Sequence, residues 1–178
     1  MGKLIFISGG CRSGKSAFAV RLSESLSDLR LYIATCPRSI DPEMDYRIER
    51  HLAERGDGWQ TSEEPIDICG AIRLSTGKGV ILVDCLTLWI SNLMQRANDE
   101  KKGITEDQVS ELCLELISEC RKIEASIIFV TNETGMGIVP DNNVARQFRD
   151  LVGRCNQVVA SFCDEAYFMV SGLPMKLK

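Results

Sequence analysis

The clearest chemical pattern in the chain is G-x-x-x-x-G-K-S, which runs from Gly9 to Ser16. It directly follows the apolar run Leu4–Ile7, which predicts a β-strand. In such a loop, glycines let backbone N–H groups turn toward a phosphate, and Lys15 brings positive charge to the outer phosphates. The Ser16 hydroxyl suits Mg²⁺. The pattern therefore predicts a nucleotide-phosphate site made of Gly9, Gly10, Cys11, Arg12, Ser13, Gly14, Lys15 and Ser16.

A second candidate metal ligand is Asp84, which ends the apolar run Val80–Val83. A carboxylate in this position, beside a phosphate loop, is suited to hold Mg²⁺ and its waters. An aspartate after a strand is also a common helix cap, so Asp84 alone would carry little information. Together with the glycine-rich loop, it predicts a metal site formed by Ser16 and Asp84.

The only histidine, His51, lies in a predicted helix from Asp41 to Arg55. At about 100° per residue, Arg47, His51 and Arg55 fall on one face of that helix. Two guanidinium groups can bind a triphosphate, and their charge disfavours the imidazolium form, which leaves a neutral imidazole able to attack phosphorus. From the spacing alone, a surface histidine at the edge of an apolar stripe is the simpler interpretation.

Composition limits the possible partners. The chain has 178 residues, 44% of them hydrophobic, which predicts a single catalytic domain over residues 1–178. Its net charge of −4 provides no basic surface for nucleic acid or an anionic membrane. We expect no membrane insertion and a cytoplasmic location, because no apolar run reaches membrane-spanning length and no leader precedes the first strand. The eight cysteines include no C-x-x-C pair, so most are expected to be reduced and buried.

Apolar runs without polar alternation recur between helix-like segments, as in a parallel sheet buried on both faces. The predicted strands are Leu4–Ile7, Leu31–Ala34, Val80–Val83, Ile127–Val130 and Ala166–Val170. The predicted helices are Ser16–Leu26, Asp41–Arg55, Ile66–Leu74, Leu86–Arg96, Glu106–Lys122 and Val144–Ala160. This alternation predicts an α/β, three-layer P-loop NTPase-like fold with a mostly parallel central sheet.

Several further motifs occur in a fixed order. They are E-M-D-Y-R-I-E-R-H at residues 43–51, W-Q-T-S-E-E at 59–64, V-D-C-L-T-L-W at 83–89, T-N-E-T-G-M-G-I-V-P at 131–140, R-Q-F-R-D at 146–150, N-Q at 156–157 and S-G-L-P at 171–174. With the glycine-rich loop, they resemble the bifunctional adenosylcobinamide kinase / adenosylcobinamide-phosphate guanylyltransferase family of cobalamin biosynthesis. The resemblance extends over nearly the whole chain.

The resemblance implies two reactions. ATP or GTP first phosphorylates the aminopropanol hydroxyl of adenosylcobinamide, and GTP then gives GMP to that phosphate through a GMP-histidine intermediate, which yields adenosylcobinamide-GDP. His51 matches the nucleophile. The resemblance also implies Mg²⁺ as cofactor and a homotrimer. It places the nucleotide beside Ala34, Thr35, Cys36, Leu52, Ala53, Glu54, Arg55, Glu63 and Asp84, in addition to the glycine-rich loop, and the helix-face argument adds Arg47.

Two departures from the family pattern are visible. Cys11 stands where the family often has alanine, which preserves the backbone cradle, and Gly56 stands where proline often follows Arg55, which loosens that turn.

Some interpretations stay open. Glu63 is alternatively a solvated carboxylate before a helix start, and the segment from Asn132 to Gly137 is either a mobile lid or a plain connection. Two other functions are a P-loop kinase without a transferase step and a nucleotide-controlled switch. The segment Thr131–Thr134 lacks the N-K-x-D signature expected of a regulatory GTPase.

Overall fold

The central feature of the fold is a seven-stranded sheet in the order β3-β2-β4-β5-β1-β6-β7. The computed structural model describes residues 2–37, 56 and 58–178, and the predicted helix Asp41–Arg55 lies outside them. The strands are β1 (Leu4–Gly9), β2 (Arg30–Ala34), β3 (Trp59–Glu63), β4 (Val80–Asp84), β5 (Ser126–Val130), β6 (Glu165–Val170) and β7 (Leu173–Lys176). The described helices are α1 (Lys15–Leu26), α2 (Ile68–Arg73), α3 (Leu86–Asp99), α4 (Glu106–Cys120) and α5 (Asn143–Phe162).

Neighbouring strands from β3 through β6 run parallel, and only β7 pairs in the antiparallel sense. Every residue of β1 is buried, and its side chains alternate between two cores. Leu4 and Phe6 face the core covered by α2, α3, α4 and α5, whereas Ile5 and Ile7 face the core that includes Ala19 of α1. The predicted three-layer α/β fold with a mostly parallel sheet is confirmed.

All five predicted strands are present, but two strands were missed. In β3, polar side chains interrupt the pattern, because this strand lies at the sheet edge and is partly exposed. In β7, all four residues are exposed, so it carries no burial pattern. Helix bounds differ from the prediction by a few residues, most at α3, which continues to Asp99 instead of ending at Arg96.

The cysteines are free, and those at positions 85, 113, 120, 155 and 163 are buried, which agrees with the expectation from sequence. None of the helices in the described ranges is both long and apolar enough to cross a membrane.

Glu165 links the two ends of the described chain. Its carboxylate accepts hydrogen bonds from Lys3 Nζ at 2.6 Å and from Tyr167 Oη at 2.7 Å, and Lys176 Nζ lies 3.5 Å away. The hydrogen bond from Lys3, followed by that from Tyr167, lowers the pKa of Glu165 to about 2, and the same carboxylate raises the pKa of Tyr167 to about 12. Glu165 therefore stabilises the pairing of β6 with β1 and β7 in its charged form.

We predict that Glu165→Gln lowers the melting temperature by about 2–4 °C at pH 7. A depressed folded-state pKa gives stability that is present above pH 4.5 and is lost as pH falls toward 2. The difference in melting temperature between wild type and Glu165→Gln should therefore become smaller as the pH falls from 4.5 toward 2. Glu100→Gln is the matched control, because Glu100 pairs with Arg96 and Lys102 at an exposed site. If the difference in melting temperature at about pH 3 equals that at about pH 7, the charged carboxylate of Glu165 does not have this stabilising role.

Candidate active site

The glycine-rich loop leaves the carboxyl end of β1 and leads directly into α1. Gly14 is the N-cap of α1 with φ 87°, and no side chain of the described residues caps this helix end. The first turn of α1 also contains no acidic residue. The first N–H groups of a helix need partners from outside the helix, and its dipole favours an anion at that position. The loop can therefore accept a phosphate at the N-terminus of α1.

At two positions in this loop, steric contacts explain why the residue is glycine. A Cβ on Gly9 would lie 2.6 Å from Ser13 Oγ and 2.8 Å from the carbonyl oxygen of Met169. A Cβ on Gly14 would lie 3.1 Å from Cα of Gly172, in the turn between β6 and β7. The Gly172 N–H also donates to the Ser13 carbonyl at 3.0 Å. The β6–β7 turn thus supports the glycine-rich loop from outside.

Ser13 contributes an unsatisfied group to the loop. Its side-chain oxygen is buried and has no hydrogen-bond partner among the described residues. Burying a hydroxyl without a partner costs about 1–3 kcal/mol. A bound phosphate would supply an acceptor next to this group, so the loop as folded fits a phosphate.

Lys15 is half-buried at the start of α1, and its Nζ donates to the Gly10 carbonyl at 2.9 Å. Burial lowers the pKa of Lys15, and the nearby Asp84 carboxylate opposes this shift. An ammonium group has three donors, and this hydrogen bond uses one of them. Lys15 is therefore held beside the loop with donors left for a phosphate.

Asp84 ends β4 and is separated from β1 by the single strand β5. Tyr32, which is 6% exposed, donates its hydroxyl proton to Asp84 Oδ2 at 2.9 Å. This hydrogen bond orients the Asp84 carboxylate. No sequence signal indicated it, because Tyr32 resembles an ordinary core residue of β2. A carboxylate and a hydroxyl are the oxygen ligands that Mg²⁺ prefers, so Asp84 and Ser16 suit that ion.

The segment after β2 lies directly beside Asp84. Ala34 is in register with Asp84 on one side and with Glu63, the last residue of β3, on the other. Thr35 is fully buried, and its Oγ1 both donates to the Cys85 carbonyl and accepts from the Cys85 N–H, each at 2.8 Å. The Thr35 side chain therefore joins β2 to the segment after β4, which leaves its neighbours Ala34 and Cys36 to line the edge.

A buried polar network, which the sequence did not reveal, underlies the carboxyl end of β5. Thr131 Oγ1 donates to Asn156 Oδ1 at 2.8 Å, and Asn156 Nδ2 donates to the Asn132 carbonyl at 3.0 Å. Thr87 Oγ1 accepts from the Asn132 N–H at 2.7 Å. The available signal was Asn156 itself, a buried amide on an otherwise apolar face of α5. The network orients the segment that continues to Glu133, whose N–H donates to the Gly9 carbonyl at 3.0 Å.

The structure thus gathers most of the expected site residues at one edge of the sheet. Residues 9–16, Ala34 to Cys36, Glu63 and Asp84 lie at or just beyond the carboxyl ends of β1, β2, β3 and β4. In α/β proteins, ligands bind at this edge. The expected site residues outside the described ranges are Arg47, His51, Leu52, Ala53, Glu54 and Arg55.

We predict that Tyr32→Phe raises the Mg²⁺ concentration needed for half-maximal nucleotide binding by about 10-fold, because it removes the hydrogen bond that orients Asp84. The measurement is a Mg²⁺ titration of the binding of a fluorescent nucleotide. Tyr167→Phe is the control, since this tyrosine donates to Glu165 instead. Equal Mg²⁺ dependence in the Tyr32 variant and the wild type would contradict the prediction.

Solved structures with a similar fold include an ATPase and a recombinase. The chain matches a prototypical ATPase from the type III secretion system of pathogenic bacteria with a TM-score of 0.60 and 16% identity, over 99% of this chain and 57% of that one. It matches the RadB recombinase with a TM-score of 0.51 and 15% identity, over 94% and 74%. At such low identity, these matches establish the P-loop NTPase-like fold alone.

Sequence comparisons are more specific. The model of the family described as cobinamide kinase / cobinamide phosphate guanyltransferase matches residues 5–177. The bifunctional adenosylcobalamin biosynthesis protein CobP of Pseudomonas aeruginosa is 40% identical, over 97% of this chain and 95% of its own. The bifunctional adenosylcobalamin biosynthesis protein CobU of Escherichia coli is 36% identical, over 98% and 99%. The chain therefore belongs to the cobinamide kinase / cobinamide phosphate guanyltransferase family of bifunctional enzymes.

Proposed function

We propose that this enzyme phosphorylates the aminopropanol hydroxyl of adenosylcobinamide and then transfers GMP from GTP to the new phosphate through a covalent GMP-His51 intermediate. The product is adenosylcobinamide-GDP. The observation that carries the kinase step is the N-terminus of α1, which no described side chain caps, behind a glycine-rich loop with Lys15 and the buried Ser13 hydroxyl beside it.

In the kinase step, residues 9–16 hold the outer phosphates of ATP or GTP through backbone N–H groups, and Lys15 adds a charge to the transferred phosphoryl group. Ser16 and Asp84 would hold Mg²⁺, which when bound neutralises phosphate charge. The acceptor hydroxyl attacks the γ-phosphorus, the bond to the bridging oxygen breaks, and the nucleoside diphosphate leaves. The contribution of the protein is orientation and electrostatic stabilisation.

In the guanylyl step, an imidazole nitrogen of His51 attacks the α-phosphorus of GTP, and pyrophosphate leaves. A phosphate oxygen of adenosylcobinamide phosphate then attacks the same phosphorus, which breaks the P–N bond and restores the imidazole. The support is the family membership, the match of His51 to the family's nucleophile, and the predicted position of Arg47 and Arg55 on the same helix face. Leu52 to Arg55 and Glu63 would lie beside this nucleotide.

Assembly and location are part of the same proposal. The resemblance to the family supports a homotrimer and a cytoplasmic location, where ATP and GTP are available. Light scattering of the purified enzyme measures the oligomeric state.

The guanylyl step is tested by incubating wild type and His51→Ala with Mg²⁺ and GTP labelled at either the α- or the γ-phosphate, followed by denaturing mass analysis. We expect a GMP-sized mass gain from the α label only, in wild type only. The same variant should lose guanylyl transfer and retain phosphorylation of adenosylcobinamide. If neither protein forms an adduct and both transfer GMP equally, the covalent route is wrong. If His51→Ala spares every activity, the enzyme is a simple kinase.

We predict that Lys15→Met lowers the kinase kcat/KM at least about 100-fold, because it removes a charge aimed at the transferred group. Circular dichroism melting should be nearly unchanged, since Lys15 donates only to the Gly10 carbonyl among the described contacts, and the substitution removes a partly desolvated charge. Lys122→Met is the control, because Lys122 is exposed and pairs with Glu119. A Lys15 variant with kinase activity within a few-fold of wild type would exclude this role.

A further inference from the structure

An uncharged loop beside the glycine-rich loop exposes several large apolar side chains. This loop, which we call the outer loop, runs from residue 134 to 140 with the sequence T-G-M-G-I-V-P. Met136 is 77%, Ile138 is 96% and Val139 is 58% exposed. No residue of the outer loop carries an ionisable side chain. Adjacent apolar side chains exposed together at a site's rim commonly mark a binding surface.

The outer loop is fixed at both ends. At its start, the Glu133 N–H donates to the Gly9 carbonyl at 3.0 Å, and the Gly135 N–H donates to Glu133 Oε1 at 2.9 Å. At its end, Arg146 Nη1 donates to the carbonyls of Pro140 at 2.9 Å and Asp141 at 2.7 Å. The first of these bonds joins the base of the outer loop to the first residue of the glycine-rich loop. The outer loop, with its apolar tip, therefore begins beside the glycine-rich loop of the proposed phosphate site.

The geometry of phosphoryl transfer limits what can lie against this tip. An acceptor hydroxyl must approach the γ-phosphorus in line with the leaving oxygen, so the rest of the acceptor extends outward past the rim. The nucleotide is anionic and suits the cationic and N–H-rich loop of residues 9–16. A corrinoid instead presents ring methyl groups and neutral amide side chains around a large macrocycle. Its periphery matches an apolar, uncharged surface, and a triphosphate does not.

We propose that Met136, Ile138 and Val139 form the surface on which the corrin ring of the acceptor lies, so that the outer loop determines the affinity of the kinase step for a corrinoid. This inference rests on the proposed function and assigns a substrate-specificity role to residues of that site. Contact with the corrin ring buries apolar area that is exposed in the free enzyme, and this burial contributes binding to the acceptor and none to the nucleotide.

The test is the double variant Met136→Ser, Ile138→Ser, assayed in the kinase step with adenosylcobinamide and ATP varied separately. We expect the KM for adenosylcobinamide to rise about 10- to 100-fold and the KM for ATP to stay within about two-fold. Both side chains are exposed, so the fold should tolerate the changes. The control is Leu29→Ser, Leu74→Ser, which removes two apolar side chains that are 60% and 84% exposed, outside the outer loop. The control should retain both KM values.

Four other results would overturn the inference, and they distinguish its failure from the failure of the proposed function. If wild type phosphorylates adenosylcobinamide and the outer-loop variant has the same KM for it, this inference is wrong and the proposed function stands. An equal rise in both KM values would make the outer loop a lid over the nucleotide, which also overturns the inference. A smaller particle by light scattering for the variant would make it an interface between copies, which overturns the inference as well. If wild type binds ATP and does not phosphorylate adenosylcobinamide, the proposed function and the inference both fail.

Discussion

A loop that binds phosphate through backbone N–H groups must keep its shape without using those groups for its own hydrogen bonds. In this protein one loop N–H group, that of Ser13, donates to the Gly10 carbonyl at 3.3 Å, and further support reaches the loop through its carbonyl oxygens. Gly9, Gly10 and Ser13 accept from Glu133, Lys15 and Gly172 respectively. The N–H groups at the start of α1 have no side-chain cap from the described part of the chain. Glu133 and Gly172, which are distant in the chain, therefore supply two of these three contacts, and Lys15 of the same loop supplies the third.

Along the sheet edge, too, some polar groups support the structure and others are left to bind a ligand. Polar groups below the proposed site are paired with one another, as in the contacts of Tyr32 with Asp84 and of Thr131 with Asn156. Thr131, Asn156 and Tyr32 are buried and Asp84 is partly exposed, so breaking either pair removes a hydrogen bond from at least one buried polar atom. Each pair therefore holds its polar groups in a fixed orientation. Groups above the edge, such as Lys15, keep donors for a ligand. The paired polar groups hold the edge in a fixed shape, and Lys15 keeps hydrogen-bond donors for a ligand. This arrangement favours catalysis by orientation of the substrates.

The sequence was informative where a single physical requirement fixes both residue type and position. The pattern G-x-x-x-x-G-K-S after an apolar run predicted β1, the loop and α1, and the structure shows why glycine is needed: close packing at Gly9 and a left-handed backbone at Gly14 disfavour other residues. It was uninformative where a contact depends on tertiary register. Tyr32 has the composition of any buried strand residue, and its bond to Asp84 exists only because β2 and β4 pair in one register. The edge strands β3 and β7 were missed because exposure removes the hydrophobic signal.

The support of Ser13 by Gly172 has a consequence for how the enzyme is made. The ribosome synthesises the glycine-rich loop early, yet β1 lies between β5 and β6, and the turn that contacts the loop follows β6. Such non-local pairing forms slowly and only after the distant segments exist. A nascent chain therefore carries the complete phosphate-loop sequence long before it has a phosphate loop. Until the β6–β7 turn has formed, the loop lacks the contact with Gly172 that supports it for binding a nucleotide.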